Sequence, residues 1–103
     1  MSPGKTASQA GHAYLGSFLQ ASPDLQAAYH ANGIGTKVCL TGRLSRLLRY
    51  HEQAKAEGVP CFLVVDSGCP DFFGGEPTVT ALGIGPATKE QVQHITGRFC
   101  LLS

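Results

Sequence analysis

The stretch Pro60-Cys61-Phe62-Leu63-Val64-Val65-Asp66 constrains the fold more than any other part of the chain. Its apolar run is unbroken, so neither side of the extended backbone is reserved for solvent. That predicts a strand buried on both faces, as in the middle of an α/β sheet. A strand of this kind needs neighbours at its edges and helices over its faces, and the rest of the chain offers both.

From about Lys5 to Gln20, the residues Ala7, Ala10, Tyr14 and Phe18 recur at three- and four-residue steps, which predicts a helix with one apolar stripe. Lys5, Gln9 and His12 fall at i, i+4 and i+7 and share the opposite face. Thr36 to Leu40 reads as a strand. Thr41 is placed to cap a second helix, along which Leu44, Leu47, Leu48 and His51 align before Gly58 ends it. A strand over Thr78–Ile84 follows. Thr88 with Gln91 forms a capping box that opens a short helix closed by Gly97, and Arg98 to Leu102 reads as a last edge strand. The order helix, strand, helix, strand, strand, helix, strand predicts an α/β fold. The expectation is a single three-layer αβα domain over residues 1–103 with a mixed, mostly four-stranded sheet.

A chain of 103 residues, 43% hydrophobic and 15% charged with 13 glycines, suits one compact unit with tight turns. The formal charge of +1 supplies no global field for nucleic acid or an anionic membrane, so any RNA contact must be a local patch. No apolar run approaches the ~18–20 residues of a membrane span. The N-terminus lacks the pattern of a signal peptide, which leads to the expectation of a cytoplasmic protein. Cys39, Cys61, Cys69 and Cys100 form no C-x-x-C pair, and neither a zinc site nor a disulfide framework is expected from them. Cys69, in a turn-rich stretch, is the one expected to be accessible.

Gly4-Lys5-Thr6 matches the end of a P-loop, but the first glycine of G-x-x-x-x-G-K-[ST] would fall before Met1 and no strand precedes it. The lysine therefore needs another explanation. Asp66 ends the central-looking strand, where ligands of open α/β sheets gather, although Asp-Ser-Gly is also good turn chemistry. Arg43, Arg46 and Arg49 recur every third residue as a basic ridge suited to phosphates or simply to solvent. Gly83-Ile84-Gly85 lacks the third glycine of a dinucleotide fingerprint. No G-x-S-x-G elbow or Cys–His arrangement supports covalent catalysis.

Three segments taken together resemble the peptidyl-tRNA hydrolase type II family. Gly4-Lys5-Thr6-Ala7-Ser8-Gln9-Ala10-Gly11-His12-Ala13 resembles its G-K-x-A-x-Q-x-x-H-A helix, and Val64-Val65-Asp66-Ser67-Gly68 its D-A-G turn. Thr80-Ala81-Leu82-Gly83-Ile84-Gly85-Pro86 resembles its T-x-L-G-I-G-P strand and turn, and Thr96-Gly97 its closing T-G. The segments run in order over nearly the whole chain, which is identified as bacterial-type and as lacking the strand that precedes the family's Met-x-x-Gly-Lys.

The resemblance implies an esterase that cleaves peptide from tRNA in peptidyl-tRNA and so recycles tRNA from stalled translation, with no metal and no organic cofactor. It assigns Lys5, Asp66, Thr80 and His12 to catalysis and Gln9 to substrate binding, with Arg46 and Arg49 of the basic ridge as further substrate contacts. Ester hydrolysis needs a water to be deprotonated and positive charge at the developing oxyanion. Asp66, directly or through Thr80, and Lys5 at a helix N-terminus fit those needs. His12 either binds the terminal nucleotide or positions Asp66. Without the N-terminal strand, a homodimer is expected to cover the exposed sheet edge. The competing reading is a non-catalytic module of the same fold that binds RNA or a protein.

Overall fold

The computed structural model describes residues 2–31, 33–40, 42–66, 78–97, 99 and 101. The expected cap Thr41, the turn after Asp66 with Cys69, and most of the expected last strand lie outside the described residues. The elements are α1 (Pro3–Gln20), α2 (Pro23–His30), α3 (Leu44–Ala56), β1 (Cys61–Asp66), β2 (Thr78–Ile84) and α4 (Lys89–Thr96).

Ser2 caps α1 by accepting from the Lys5 amide at 3.1 Å, and Pro3 occupies the first helical turn, where its missing N–H costs nothing. The expected stripe is not the face that α1 buries. Gln9, Ala13 and Ser17 are buried, whereas Ala7 is exposed and Ala10, Tyr14 and Phe18 are half-buried. The cause is close packing. A Cβ built on Gly83 would come within 2.1 Å of the Ala13 carbonyl oxygen, so β2 touches the helix backbone and only small side chains fit between them.

Helix α2 is an addition to the expected order. Ser22 accepts from the Leu25 amide, Pro23 begins the helix and Asp24 sits in its first turn. The Gln26 side-chain amide donates to the Ala21 carbonyl and to that of Phe18, which also accepts from the Ala21 N–H, and so ties α2 to the end of α1. The strand expected over Thr36–Leu40 does not form among the described residues beyond one antiparallel bridge, Leu40 to Leu101. That segment is tied to α2 instead. The Tyr29 ring lies against Gly35, whose φ of 80° suits glycine, and the Tyr29 hydroxyl donates to the Thr36 carbonyl.

Helix α3 ends as expected: Gly58, at φ 74°, donates to the Lys55 carbonyl, and Val59 then donates to that of Ala54. Arg43 stands at its N-cap without a side-chain cap. In α4 the capping box is complete, with Gln91 N–H to Thr88 Oγ1 and Thr88 N–H to Gln91 Oε1, and Gly97 closes the helix.

Strands β1 and β2 pair antiparallel from Cys61↔Ile84 to Asp66↔Thr78. Val64 pairs with Ala81 and Val65 with Val79, which leaves Thr80 as the extra residue of a bulge. Helices lie on both faces. Cys61 and Ile84 pack with the core of Ala54, Val59 and Ile95 beneath α3 and α4. The next pair, Phe62 and Gly83, meets α1. The Ser17 hydroxyl lies within hydrogen-bonding reach of the Gly85 and Pro60 carbonyls and pins α1 to the end of the sheet.

The architecture is thus a compact mixed α/β fold, and the expected mixed, four-stranded sheet is reduced among the described residues to two antiparallel strands. The expectation of burial on both faces of β1 fails as well. Phe62 and Val65 are exposed, because both line the open groove that α1 leaves along β1.

Candidate active site

Helix α1 and strand β1 run past each other and leave a groove of about 450 Å³ between them. Its polar lining is Lys5, Gln9, His12 and Asp66, and its apolar lining includes Leu15, Leu19, Phe62 and Val65. The two characters lie at opposite ends. Lys5 meets Asp66 at the start of α1, whereas the Phe62 ring is pressed so closely on Gly16 that a Cβ there would collide with it.

Asp66 is the last residue of β1 and 8% exposed. Lys5 Nζ stands 2.6 Å from its Oδ2. Gln9, one helical turn beyond Lys5, donates from Nε2 to the same oxygen at 3.0 Å. Burial of a carboxylate is costly unless it is paired and hydrogen-bonded, and here a cation and an amide both serve it. The helix N-terminus adds a favourable partial charge on the same side. His12 lines the groove and is exposed to solvent.

The other expected site residues lie elsewhere. Thr80 is not among the groove-lining residues; its Oγ1 is 3.4 Å from the Val64 carbonyl oxygen, to which it donates at the bulge. Arg46 and Arg49 are on α3, away from the groove lining. The Arg46 guanidinium stacks over Phe99 at 4.2 Å, and both arginines stand 5.7 Å from the Tyr50 ring. Gln9, expected to bind substrate, turns its amide to Asp66. The apolar end of the groove was not anticipated; its only signal was Gly16, a small residue on the helix that a ring can approach.

Among the described residues, no group of three or more His, Cys, Asp or Glu is arranged to hold a metal ion. Cys39 and Cys61 are free, and burial pushes the Cys61 thiol above its ordinary range, away from thiolate reactivity.

A buried carboxylate paired with a lysine at the head of an open groove, on a small α/β scaffold, is an arrangement with the groups that charge-stabilised, acid–base chemistry needs. Known proteins narrow the reading. Residues 1–102 match the family model described as Peptidyl-tRNA hydrolase PTH2. A peptidyl-tRNA hydrolase of Methanopyrus kandleri is 40% identical over 104 residues, covering 99% of this chain and 88% of the relative. Proteins of the same name from Methanothermobacter thermautotrophicus and Methanocaldococcus jannaschii are 35% and 32% identical, covering 99% of this chain and 89% and 90% of theirs. The chain belongs to the peptidyl-tRNA hydrolase PTH2 family. These relatives are archaeal, and the comparisons give no support to a bacterial-type placement or to a missing N-terminal strand.

Proposed function

We propose that this chain hydrolyses the ester bond between peptide and tRNA in peptidyl-tRNA, releasing a free peptide and a reusable tRNA. The reading is supported by the family match and by the names of the relatives. The observation that carries it to a site is the 2.6 Å pair of Lys5 and Asp66 at the head of the groove. Asp66 accepts a proton from a water, which attacks the ester carbonyl. Lys5 then stabilises the oxyanion, and the proton passes to the ribose oxygen as the carbon–oxygen bond breaks. His12, at the exposed side of the groove, contacts the terminal nucleotide. Thr80 supports the end of β1 through the Val64 carbonyl. Arg46 and Arg49 contribute charge for tRNA phosphates on the α3 side.

The same reading takes residues 1–103 as one three-layer domain in which the segments around Leu40 and Leu101 extend the sheet, supported by their bridge. It also includes a homodimer that covers exposed apolar side chains outside the groove, such as Val38 and Leu101, and action in the cytoplasm, where translation runs. No described helix is long and apolar enough to cross a membrane.

The test is release of N-acyl-amino acid from a purified N-acyl-aminoacyl-tRNA. Lys5→Met should lower kcat about 10²–10³-fold, the scale for loss of one oxyanion stabiliser. Wild-type protein that binds this tRNA without cleaving it would leave a binding module instead.

A further inference from the structure

We propose that Gln9 is a positioning residue for Asp66: a neutral anchor that holds the carboxylate in place when Lys5 turns to the substrate. The inference rests on the hydrolase reading above and deepens it. Gln9 is 4% exposed, and its Nε2 lies 3.0 Å from Asp66 Oδ2. That contact fixes which way the amide points, because the reversed amide would set its oxygen against a carboxylate oxygen, acceptor against acceptor. The consequence falls on the other end of the side chain. Gln9 Oε1 is buried and has no hydrogen-bond partner among the described residues. A buried acceptor without a donor destabilises the fold. A methionine of similar length would fill the same space with no orphaned oxygen. What the glutamine brings is therefore the one donor it aims at Asp66, and a methionine would lose that donor together with the orphaned oxygen.

The chemistry explains why that donor is neutral. Lys5 and Gln9 both hold Oδ2. Once Lys5 serves the developing oxyanion, its pull on Oδ2 is redirected, and a neutral donor on the same oxygen resists the movement of the carboxylate. Gln9, anchored at the next turn of α1, keeps the carboxylate in register with the water. A second cation at that place would hold it too, but would weaken it as a proton acceptor, which a neutral amide does less. The titratable groups of α1 that line the groove beside Asp66 are Lys5 and His12.

Three measurements on Gln9→Met and Gln9→Glu test this. The first is kcat and KM for N-acyl-aminoacyl-tRNA across pH. The second is the Asp66 carboxyl pKa, followed by carbon NMR with Asp66→Asn as the assignment control. The third is Tm. For Gln9→Met we expect a Tm close to wild type, because the lost hydrogen bond to Asp66 and the relieved Oε1 oppose each other, with kcat lower by about ten- to a hundredfold, KM within about twofold, and a raised Asp66 pKa. For Gln9→Glu we expect a larger loss at neutral pH that recovers as the pH falls and the new carboxyl gains a proton to donate. An unmoved Asp66 pKa with full kcat overturns the proposal. So does a raised KM at constant kcat, which marks a substrate contact, or a fall in Tm that accounts for the lost activity. If wild-type protein hydrolyses nothing, the function is wrong, while the pKa comparison still decides whether Gln9 holds Asp66.

Discussion

Replacing Gly83 by alanine tests whether the closeness of α1 to the sheet is what assembles the site. The added Cβ would stand 2.1 Å from the Ala13 carbonyl oxygen, 2.8 Å from its carbon and 2.9 Å from Ser17 Cβ. Two of these neighbours are helix backbone, so no rotamer change relieves them. Ordinary contact begins at 3.4 Å, so the helix must retreat by about 1.3 Å. Overpacking of this kind costs about 1–3 kcal/mol. At about 4–8 °C per kcal/mol in a domain of this size, Tm should fall by about 5–20 °C.

The retreat also reaches the chemistry. Lys5 and Gln9 ride on the same helix, and Asp66 stays with the strand. A displacement of about 1 Å in a catalytic array costs about 10²-fold. Thermal denaturation and single-turnover hydrolysis, below the variant's Tm, should therefore both show large losses. Gly11→Ala is the control. It sits in the same helix with open space around it and should gain about 0.5–1 kcal/mol from helix propensity. A Gly83→Ala protein with wild-type Tm and kcat would refute the packing argument, and one with lowered Tm but full kcat would refute the link from packing to site.

Ser17→Ala removes the hydroxyl that reaches the Gly85 and Pro60 carbonyls, and should cost about 1–3 kcal/mol in chemical denaturation with little effect on the groove residues. Glu57 lies at the α3 end against α4, where the Gln53 amide and then His94 hold its carboxyl below the usual range. Its folded pKa lies below the unfolded value, so its stabilisation is present above about pH 4.3 and is lost as pH falls through the folded pKa. The Tm difference between wild type and Glu57→Gln should accordingly be steady near pH 6 and vanish in acid; a difference that grows in acid would contradict this. Arg49→Glu should raise KM for tRNA several-fold with kcat little changed, and the effect should shrink as salt is added. Equal KM across a salt series would remove α3 from the tRNA path.

Local signals in the chain were readable where their partners lie within a few residues. Thr88 and Gln91 predict the start of α4 because the capping box closes over one turn, and Gly58 predicts the end of α3 because its positive φ is a local demand. Ser22-Pro23-Asp24 carries an equally local helix start, the cap and first turn of α2. Thr36–Leu40 misled because extended residues make a strand only beside a partner, and Tyr29 holds that segment to α2 instead. The buried face of α1 misled for a related reason. Hydrophobicity pointed to Tyr14 and Phe18, but the strand approaches too closely for either, and Ala13 and Ser17 fill the contact. That Asp66 ends a strand was readable from the apolar run before it. Its partnership with Gln9, 57 positions away, was not, because it depends on how α1 lies along β1.

That arrangement raises a chemical question about the base. A carboxylate held by an ammonium at 2.6 Å and an amide at 3.0 Å is stabilised as an anion, and what stabilises the anion weakens it as a proton acceptor. In the proposed mechanism Asp66 therefore rests as a protected base. Its activation there requires a competing anion for Lys5, which the addition of water to the ester carbonyl would make. As negative charge grows on the carbonyl oxygen, Lys5 is drawn towards it, and Asp66 gains basicity as it takes the proton. The two roles are then coupled through one ion pair. Lys5→Met should raise the Asp66 pKa while lowering kcat, so the variant has a stronger base and a slower reaction. A Lys5→Met enzyme faster than wild type at any pH would show that base strength, not oxyanion charge, limits the rate.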